Sequence, residues 1–493
     1  MPQAWDEPGA DGVAHRPVPP ARRAPGRFVW LKPGGRRPRS LLCPRRMRGL
    51  LTFTVLVAAV PAYGQVLPRA PVGGDVSANI RLRYETIRDQ ARAGVPVDEA
   101  STQLRTIVRA TYRRGPLTLG GTLFDSRALD APRPSALSTN EVNGFEPVEA
   151  FLGLDLGDAA RKRLYGHVTL GRQTADLRSR RLIANDDYRN TTNAFTGARL
   201  DLADGDRWNV TAFYLLPQQR LPDDAAGLRT GRVVLDREGF DTRIWGATAG
   251  LPRLFGRVAG DIGAYRFEER DRPDHATRDR HLTTLTARLV APASPGKTDG
   301  EVEIMRQTGT IAVSLAPTAA RVPVETWFAH ARIGYQWTRA WTPRLAVEGD
   351  YASGDRRNGG YGRFDTLYGM RRADFSPAGL YNAVTRSNLI SLGPRLEVTP
   401  SRRVDAMLSV KKLWLASARD AFATTSVVDP TGQSGRDAGW QSDARVRFWA
   451  VPKRLQLEAD GVWLAKGRFL ASAPNRASDH DTLYLSLNAS VFF

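Results

Sequence analysis

The chain has 493 residues, a mean hydropathy of -0.37 and a formal charge of +20, with 71 Lys and Arg against 51 Asp and Glu. It contains no run of about 18 apolar residues, which excludes a protein that crosses membranes with helices. Its single cysteine, Cys43, excludes a disulfide framework.

Residues 47–64 have the three-part pattern of a secretory signal peptide. Arginines at the start supply positive charge, residues 50–60 form an apolar stretch, and Ala62 and Gly64 fit a cleavage site before Gln65. The apolar stretch is too short to span a bilayer. We therefore predict that the protein is exported from the cytoplasm.

Residues 1–46, rich in Pro, Arg and Gly, have no place upstream of a signal peptide. We interpret them as the product of a start codon assigned too early, with a disordered extension as the alternative. Residues 1–64 hold 11 Lys and Arg but only three acids, which accounts for 8 of the 20 positive charges. Residues 65–493 are therefore less basic than the whole chain, and we expect no nucleic-acid partner.

Alternation of apolar and polar residues recurs through residues 65–493 and indicates strands with one apolar and one polar face. The alternating segments are 80–85, 108–113, 117–123, 327–337, 344–351, 390–399, 444–450 and 455–463. They have 6 to 11 residues, and the longest of them reach the 9 to 11 residues that a tilted strand needs to cross a bilayer. A closed barrel remains possible because it pairs every backbone group between neighbouring strands. At roughly 22 to 26 residues per strand and connection, we predict an all-β, transmembrane antiparallel barrel of about 18 strands over residues 65–493, without a plug domain.

Polar, turn-forming residues separate the predicted strands. The short separators are 204–206, 294–297, 341–343, 400–401 and 452–453, and the long ones are 126–147, 217–240, 352–388 and 417–441. Short periplasmic turns and long outer loops are typical of outer-membrane barrels. Residues 166–173 and 257–268 show no clean phase, and we expect bulges there.

Arginine dominates the cations, with 64 Arg and seven Lys. Many arginines fall on the polar faces of the alternating segments: Arg81, Arg83, Arg109, Arg113, Arg332, Arg395, Arg445 and Arg447. A charge facing lipid at mid-membrane costs about 2 to 4 kcal/mol, so we predict that these side chains line the lumen. Such a lumen would concentrate anions. As the alternative, acids on the same faces (Glu85, Glu348, Glu397 and Glu458) pair with them as scaffold.

The chain ends on an alternating strand in which Leu485, Leu487 and Val491 share a face with Phe493. A strand that stops at a terminal aromatic resembles the closing strand of bacterial outer-membrane barrels, whose final Phe belongs to the signal read by the insertion machinery. We therefore expect Tyr484 and Phe493 to form an insertion signal. The expected partners are outer-membrane lipids and the barrel-insertion machinery.

Several motifs resemble those of the alginate-export family of outer-membrane β-barrels. They are Gly171-Arg-Gln173, Arg180-Arg-Leu-Ile183, Tyr188-Arg-Asn190, Phe195-Thr-Gly-Ala-Arg199, Gly349-Asp-Tyr-Ala-Ser-Gly-Asp355, Phe364-Asp-Thr-Leu-Tyr368, Trp414-Leu-Ala416, Asp420 and the Gly-rich 431–439. The resemblance covers most of residues 75–493. It implies an 18-stranded barrel in the bacterial outer membrane, whose electropositive channel passes an acidic polysaccharide outward, with periplasmic export components as possible partners.

The resemblance also extends the set of candidate site residues. It adds Arg172 and Arg199 to the channel, although the strand phase places Arg172 on an apolar face. It adds Asp350, Asp355 and Asp365 as candidate loop residues.

Catalytic and metal-binding patterns are absent from the sequence. It has neither a G-x-S-x-G nor a G-x-x-x-x-G-K-[ST] motif, and its six histidines show no metal-ligand spacing. We expect no enzyme activity, no metal and no cofactor. Three functions remain: a passive channel for an anionic saccharide or its polymer, a general or small-organic-anion porin, and a structural or adhesive barrel acting through its loops.

Overall fold

The computed structural model describes residues 72–157, 164–356, 359–372 and 374–493. The predicted leader, with its extension at 1–46 and signal peptide at 47–64, lies outside these residues. Both assignments therefore stay predictions, and the fold below is that of the region predicted as a barrel.

Eighteen strands form one sheet. They are β1 (Gly73–Arg88), β2 (Glu99–Arg114), β3 (Leu117–Ala128), β4 (Asn143–Asp155), β5 (Leu164–Gln173), β6 (Phe195–Asp204), β7 (Trp208–Pro217), β8 (Thr242–Phe255), β9 (Val258–Glu269), β10 (His281–Ala291), β11 (Lys297–Ala312), β12 (Arg321–Gln336), β13 (Arg344–Ala352), β14 (Leu389–Ser401), β15 (Val404–Trp414), β16 (Asp437–Val451), β17 (Leu455–Lys466) and β18 (Thr482–Phe492). Two short helices, α1 (Ala225–Thr230) and α2 (Arg468–Ser472), lie in loops. Within the described residues, neither helix has the length and apolar character to cross a membrane.

The sheet closes on itself through its first and last strands. Each strand pairs antiparallel with the next, and β18 pairs with β1 from Asn79 opposite Phe492 onward. At the end of this seam the Phe493 N–H donates to the Ala78 carbonyl at 2.9 Å, and the Ala78 N–H donates back at 3.3 Å. Closure leaves no unpaired sheet edge in the hydrocarbon. It confirms the predicted antiparallel barrel of 18 strands.

The barrel wall is apolar outside and polar inside. On β1, Leu82 and Tyr84 are 47% and 42% exposed, whereas Arg83 and Glu85 are 1% and 0% exposed. Exposed leucine alternating with buried arginine is the reverse of a soluble protein, and it suits a wall with lipid on one side and a polar lumen on the other. The predicted strand faces are therefore confirmed at β1.

Connections alternate in length between the two ends of the barrel. At one end they are 115–116, 156–163, 205–207, 256–257, 292–296, 337–343, 402–403 and 452–454. At the other end they are 89–98, 129–142, 174–194, 218–241, 270–280, 313–320, 353–388, 415–436 and 467–481. The predicted long outer loops 126–147, 217–240, 352–388 and 417–441 all correspond to connections of the second set. The other five connections at this end had not been predicted, and the longest of them are 174–194 and 467–481.

One local expectation is wrong. Residues 166–173 lie in β5, which pairs with β6 without a register shift, so there is no bulge at that seam. The register does shift between β8 and β9, from Leu251 opposite Gly260 to Phe255 opposite Val258, which agrees with the bulge expected in 257–268. Further shifts occur between β3 and β4 and along β14 to β17. The phase of β5 was unclear because Arg172 shares a face with the apolar residues Val168 and Leu170.

The assignment of an outward, lipid-facing side to β1 predicts that a charge introduced there lowers the free energy of unfolding by an amount that depends on its depth in the membrane. Leu82→Arg places a cation near mid-membrane and should lower the free energy of unfolding by about 2 to 4 kcal/mol. Val76→Arg, on the same face near the inner end of β1, should cost only about 0 to 1 kcal/mol because its guanidinium reaches the headgroups. Reversible denaturant unfolding in lipid vesicles measures both, and equal costs would contradict the proposed outward face.

Candidate functional site in the barrel lumen

Two outer loops fold back into the lumen. They are the β5–β6 loop (174–194) and the β13–β14 loop (353–388), joined by a parallel bridge between Ile183 and Tyr368. The Tyr368 N–H donates to the Leu182 carbonyl at 2.9 Å, and the Ala184 N–H donates to the Tyr368 carbonyl at 3.1 Å. Apolar residues of both loops form one buried cluster with the wall. The outer half of the lumen is therefore packed, and within the described residues no separate plug domain is present.

A buried ion cluster ties both loops to the wall. The Arg181 Nη1 lies 2.5 Å from carboxylate oxygens of Glu301 and Glu303 on β11, and its Nε lies 2.8 Å from Asp374 of the β13–β14 loop. All four side chains are at most 4% exposed. Ion pairing makes these buried charges tolerable. Among the described residues, loss of Arg181 would leave Glu303 without a cationic partner, whereas Asp374 would keep Arg386 and Glu301 would keep Arg288 and Arg332.

One wall of the lumen carries a file of cations, here called the arginine column. Its members are Arg81 and Arg83 on β1 and Arg105, Arg109 and Arg113 on β2. Arg81 and Arg105 face each other directly in the ladder. Like charges directly opposite each other destabilise a sheet, so this placement needs compensation from other groups.

Backbone oxygens of the β5–β6 loop provide much of that compensation. Arg81 donates to the Arg189 carbonyl at 2.8 Å, and Arg105 donates to the Asp187 and Arg189 carbonyls at 3.0 and 2.9 Å. Within the part of the chain that the structure describes, no carboxylate pairs with Arg81 or Arg105. Their charge is therefore solvated by dipoles but not neutralised.

Solvent access changes along the arginine column. The Arg109 side chain is 55% exposed and lies 3.5 Å from Glu149, while Arg81 and Arg83 are 6% and 1% exposed. The inner half of the lumen is therefore open to water, and the outer half is covered by the two loops. A solute that traverses the barrel must pass between loop and wall.

The opposite wall is rich in acids, here called the carboxylate wall. It comprises Asp261 on β9, Asp299, Glu301 and Glu303 on β11, and Glu348 and Asp350 on β13. In a closed ring of 18 strands, β11 lies opposite β2. These carboxylates pair with cations, for example Asp299 with Arg344 at 2.5 Å and Glu348 with Lys411 at 2.9 Å. This wall is therefore held by ion pairs, whereas the prediction was of an arginine lining throughout.

The remaining predicted arginines that face the lumen have carboxylate partners. These pairs are Arg332–Glu301 at 3.0 Å, Arg395–Glu397 at 2.9 Å, Arg445–Asp405 at 3.6 Å, Arg447–Asp405 at 2.9 Å and Arg199–Asp201 at 2.8 Å. Arg113 instead donates to the Thr118 hydroxyl at 3.1 Å. The scaffold interpretation therefore describes the contacts of most of these side chains better than a free cationic lining.

Arg172 does not line the lumen. It shares the outward face of β5 with Val168 and Leu170, at the outer end of the strand, and pairs with Glu146 at 2.5 Å and Glu238 at 2.7 Å. A position at the rim allows this charge on an outward face because it lies beyond the hydrocarbon. The strand phase predicted this outward position correctly, whereas the placement of Arg172 in the channel, which the family resemblance implied, is wrong.

Asp350 does not lie in a loop. It is in β13, 4% exposed, and its carboxylate lies 2.9 Å from the His330 Nδ1 and accepts from the Ser391 hydroxyl at 2.9 Å. The β13 ladder continues through Ala352, which carries Asp350 into the wall. Asp355 and Asp365 do lie in the β13–β14 loop, where Asp365 pairs with Arg280 at 2.5 Å.

Tyr484 and Phe493 do not share a face. Tyr484 is 1% exposed, and its hydroxyl donates to Glu85 at 3.0 Å inside the barrel, whereas Phe493 is 73% exposed. Their odd separation in a strand puts them on opposite faces. This placement does not bear on the predicted insertion signal, so the role of both residues stays a prediction.

Tyr188, which the sequence marked only as part of a motif, lies at the centre of the site. Its ring is stacked between the guanidinium groups of Arg83 and Arg372, at 3.9 and 3.8 Å from the ring centroid. Arg372 also pairs with Glu458 at 3.0 Å and Asp460 at 2.8 Å on β17. Both loops thus meet the barrel wall at this ring.

The charged side chains of the lumen form ion pairs and hydrogen bonds with one another. Across the described ranges, no group of three His, Cys, Asp or Glu side chains is placed to hold a metal ion. The chemistry available in the lumen is reversible ion pairing and hydrogen bonding, which suits transport of a polar solute.

The sequence profile of a family described as alginate export matches residues 74–483, from β1 into β18. Among solved structures, a BenF-like porin from Pseudomonas fluorescens Pf-5 aligns with a TM-score of 0.55 at 11% identity, over 85% of this chain and 98% of that chain. OpdL of Pseudomonas aeruginosa aligns with a TM-score of 0.54 at 13% identity, over 85% and 98%. Pseudomonas aeruginosa OccK2 (OpdF), in complex with glucuronate, gives 0.53 at 12% identity, over the same shares. At these identities the likeness concerns the fold, and no curated protein matches the chain.

Arg181→Met should loosen both inward loops. Three carboxylates would lose a buried partner, at a cost of about 3 to 5 kcal/mol. We expect faster hydrogen–deuterium exchange in residues 174–194 and 353–388. Arg180→Met is the matched control. The Arg180 side chain is 24% exposed and pairs with Asp176, and an ion pair open to solvent contributes only about 0 to 1 kcal/mol. Equal exchange rates in the two variants would contradict the conclusion that Arg181 holds the two loops against the wall.

The β7–β8 loop (218–241) should lose stability as pH rises. Burial and then the nearby Glu146 raise the pKa of Asp236 from 3.8 to about 7, although Asn143 and the Leu221 N–H donate to it. A carboxyl group whose pKa is higher in the folded state destabilises that state when it ionises. The free energy of unfolding should therefore fall as pH rises from 3.8 to about 7. Hydrogen exchange of residues 218–241, corrected for intrinsic rates, should be faster at pH 8 than at pH 6. Asp236→Asn should abolish the difference, and its persistence would contradict this assignment.

Proposed function

Because the chain belongs to the alginate export family of bacterial outer-membrane barrels and has a porin-like fold, we propose that it conducts acidic saccharides through its lumen by diffusion. It lies in the bacterial outer membrane, with lipid against its apolar face. Neither a cofactor nor a covalent step is part of the proposal.

The observation that carries the proposal is the direct pairing of Arg81 with Arg105 across β1 and β2. Two cations in opposite ladder positions are unfavourable for the sheet. An anion passing between loop and wall relieves that repulsion. The arginine column therefore supports passage of negatively charged solutes.

The geometry of guanidinium explains how such a solute could bind and still move. Its planar fork holds a carboxylate through two hydrogen bonds, so a sugar carboxylate can pass from one arginine to the next along the column. Conduction requires binding that is weak and repeated, and a file of similar sites meets that requirement.

A similar fold in OccK2 was solved in complex with glucuronate, a sugar acid. That ligand belongs to OccK2, and at 12% identity it is only a guide to the class of solute worth testing here. It agrees with the chemistry of the arginine column, which selects a carboxylate without selecting a particular sugar.

A second candidate function is a porin for small organic anions. It is favoured by the burial of Arg81 and Arg83 under the β5–β6 loop, which leaves less room for a polymer than an open lumen would. A length series of uronate oligomers separates the two. Polymer passage predicts block of ionic current that strengthens with chain length, whereas a small-anion porin should be blocked by monomers and long chains with similar affinity.

Reversal potentials in KCl gradients test the arginine column. Arg109→Glu should shift the potential toward cation preference, because Arg109 is the half-exposed member of the column and the change alters the local charge by two. Arg253→Glu is the matched control, since Arg253 is 70% exposed on the outward face of β8 and pairs with Asp206. We expect little shift in this control. A wild-type channel without anion preference, or equal shifts in both variants, would reject the proposed function.

A further inference from the structure

The outer loops enclose a cavity of about 430 Å³, separate from the arginine column. It lies between the loops 129–142, 174–194, 218–241, 270–280 and 353–388. Ligand pockets usually measure about 300 to 1,000 Å³. The cavity is therefore large enough for a small polar solute that has not yet entered the lumen.

Six arginines line this cavity, together with the acids Asp186, Asp223, Glu238, Asp241 and Glu269. Among the described residues, four of the arginines have carboxylate partners, whereas Arg220 and Arg371 have none. Arg189 lies 3.0 Å from Asp186. Arg220 donates to four neutral oxygens, including the Thr139 carbonyl at 2.9 Å. Among the described residues, Arg371 has neither an ion pair nor a side-chain hydrogen bond, and its Nη1 is buried. Burial, and then the neighbouring Arg189 cation, lower the pKa values of Arg220 and Arg371 to about 10.

The same cavity contains buried polar atoms without partners. Both amide atoms of Gln218 are unpaired in a residue only 7% exposed, and so is the Oδ1 of Asn382. Buried polar groups are normally hydrogen-bonded, and an unpaired one costs about 1 to 3 kcal/mol. Free donors and free acceptors beside the unpaired guanidinium of Arg371 suit a ligand with a negative charge and with hydroxyls that both donate and accept.

We propose that this cavity is a binding site for a carboxylated sugar, with the carboxylate on Arg371 and the hydroxyls on Gln218 and Asn382. The inference rests on the proposed function in one respect, since it takes the same class of solute to be the one that the channel conducts. It adds a site apart from the arginine column, at the end of the barrel with the long loops, at which the solute is held before or after passage.

Isothermal titration of the detergent-solubilised protein with D-glucuronate tests the site. Wild type should bind saturably, and D-glucose, which lacks the carboxylate, should bind at least about tenfold more weakly. Arg371→Gln should lose about tenfold or more in affinity because it removes the uncompensated charge. Arg232→Gln, in the same loop region but paired with Asp224 at 53% exposure outside the cavity, is the matched control and should bind as wild type does.

Gln218→Leu gives a second variant of nearly equal volume. Its amide makes no side-chain hydrogen bond among the described residues, so leucine removes no contact within the protein, yet the affinity for D-glucuronate should fall by about fivefold or more. Heat-modifiable migration on gels verifies that each variant forms a barrel.

The outcomes separate this site from the proposed function. Equal D-glucuronate affinity in wild type, Arg371→Gln and Gln218→Leu would overturn the site, and so would D-glucose binding as tightly as D-glucuronate. Absence of anion preference in the wild-type reversal potential would instead overturn the proposed function. Saturable, Arg371-dependent binding would then still establish the cavity as a sugar-acid site.

Discussion

Backbone hydrogen bonding is the constraint on which the rest of this molecule depends. In hydrocarbon every N–H and C=O must find a partner within the sheet, and the seam from Asn79 to Phe492 supplies the last of them. Closure with an even number of strands brings both ends of the sheet to one side of the membrane. It also divides each strand into a lipid face and a luminal face, so that charged residues of the strands either face inward or lie at a rim.

Within the lumen, charges are stabilised in two different ways. Arg181 is surrounded by carboxylates of β11 and of the β13–β14 loop, an arrangement that fixes the loops in place. Arg81 and Arg105 have backbone carbonyls as their acceptors, which solvate a cation without cancelling it. The carboxylates around Arg181 therefore have a structural role. The carbonyls around Arg81 and Arg105 leave a positive electrostatic potential in the lumen. Arginines that look equivalent in the sequence thus differ in what they can do.

Strand periodicity was sufficient to predict the wall. The alternation of Leu82 and Arg83 shows which side chain meets lipid, and the phase of β5 correctly put Arg172 outside even where the family resemblance suggested otherwise. Loop contacts could not be predicted in this way. Arg181 and Glu301 are 120 residues apart, and no local pattern links them. The outer cavity depends on five separate loops, so its lining also appears only in three dimensions.

The ring of Tyr188 between Arg83 and Arg372 has a mechanical consequence. One guanidinium belongs to the wall and the other to the β13–β14 loop, while the ring itself belongs to the β5–β6 loop. Flat groups in face-to-face contact lose their attraction within a small displacement, so such a stack is either intact or broken. Motion of these loops should therefore occur as discrete jumps, with the two loops moving in concert, and not as a graded widening of the passage.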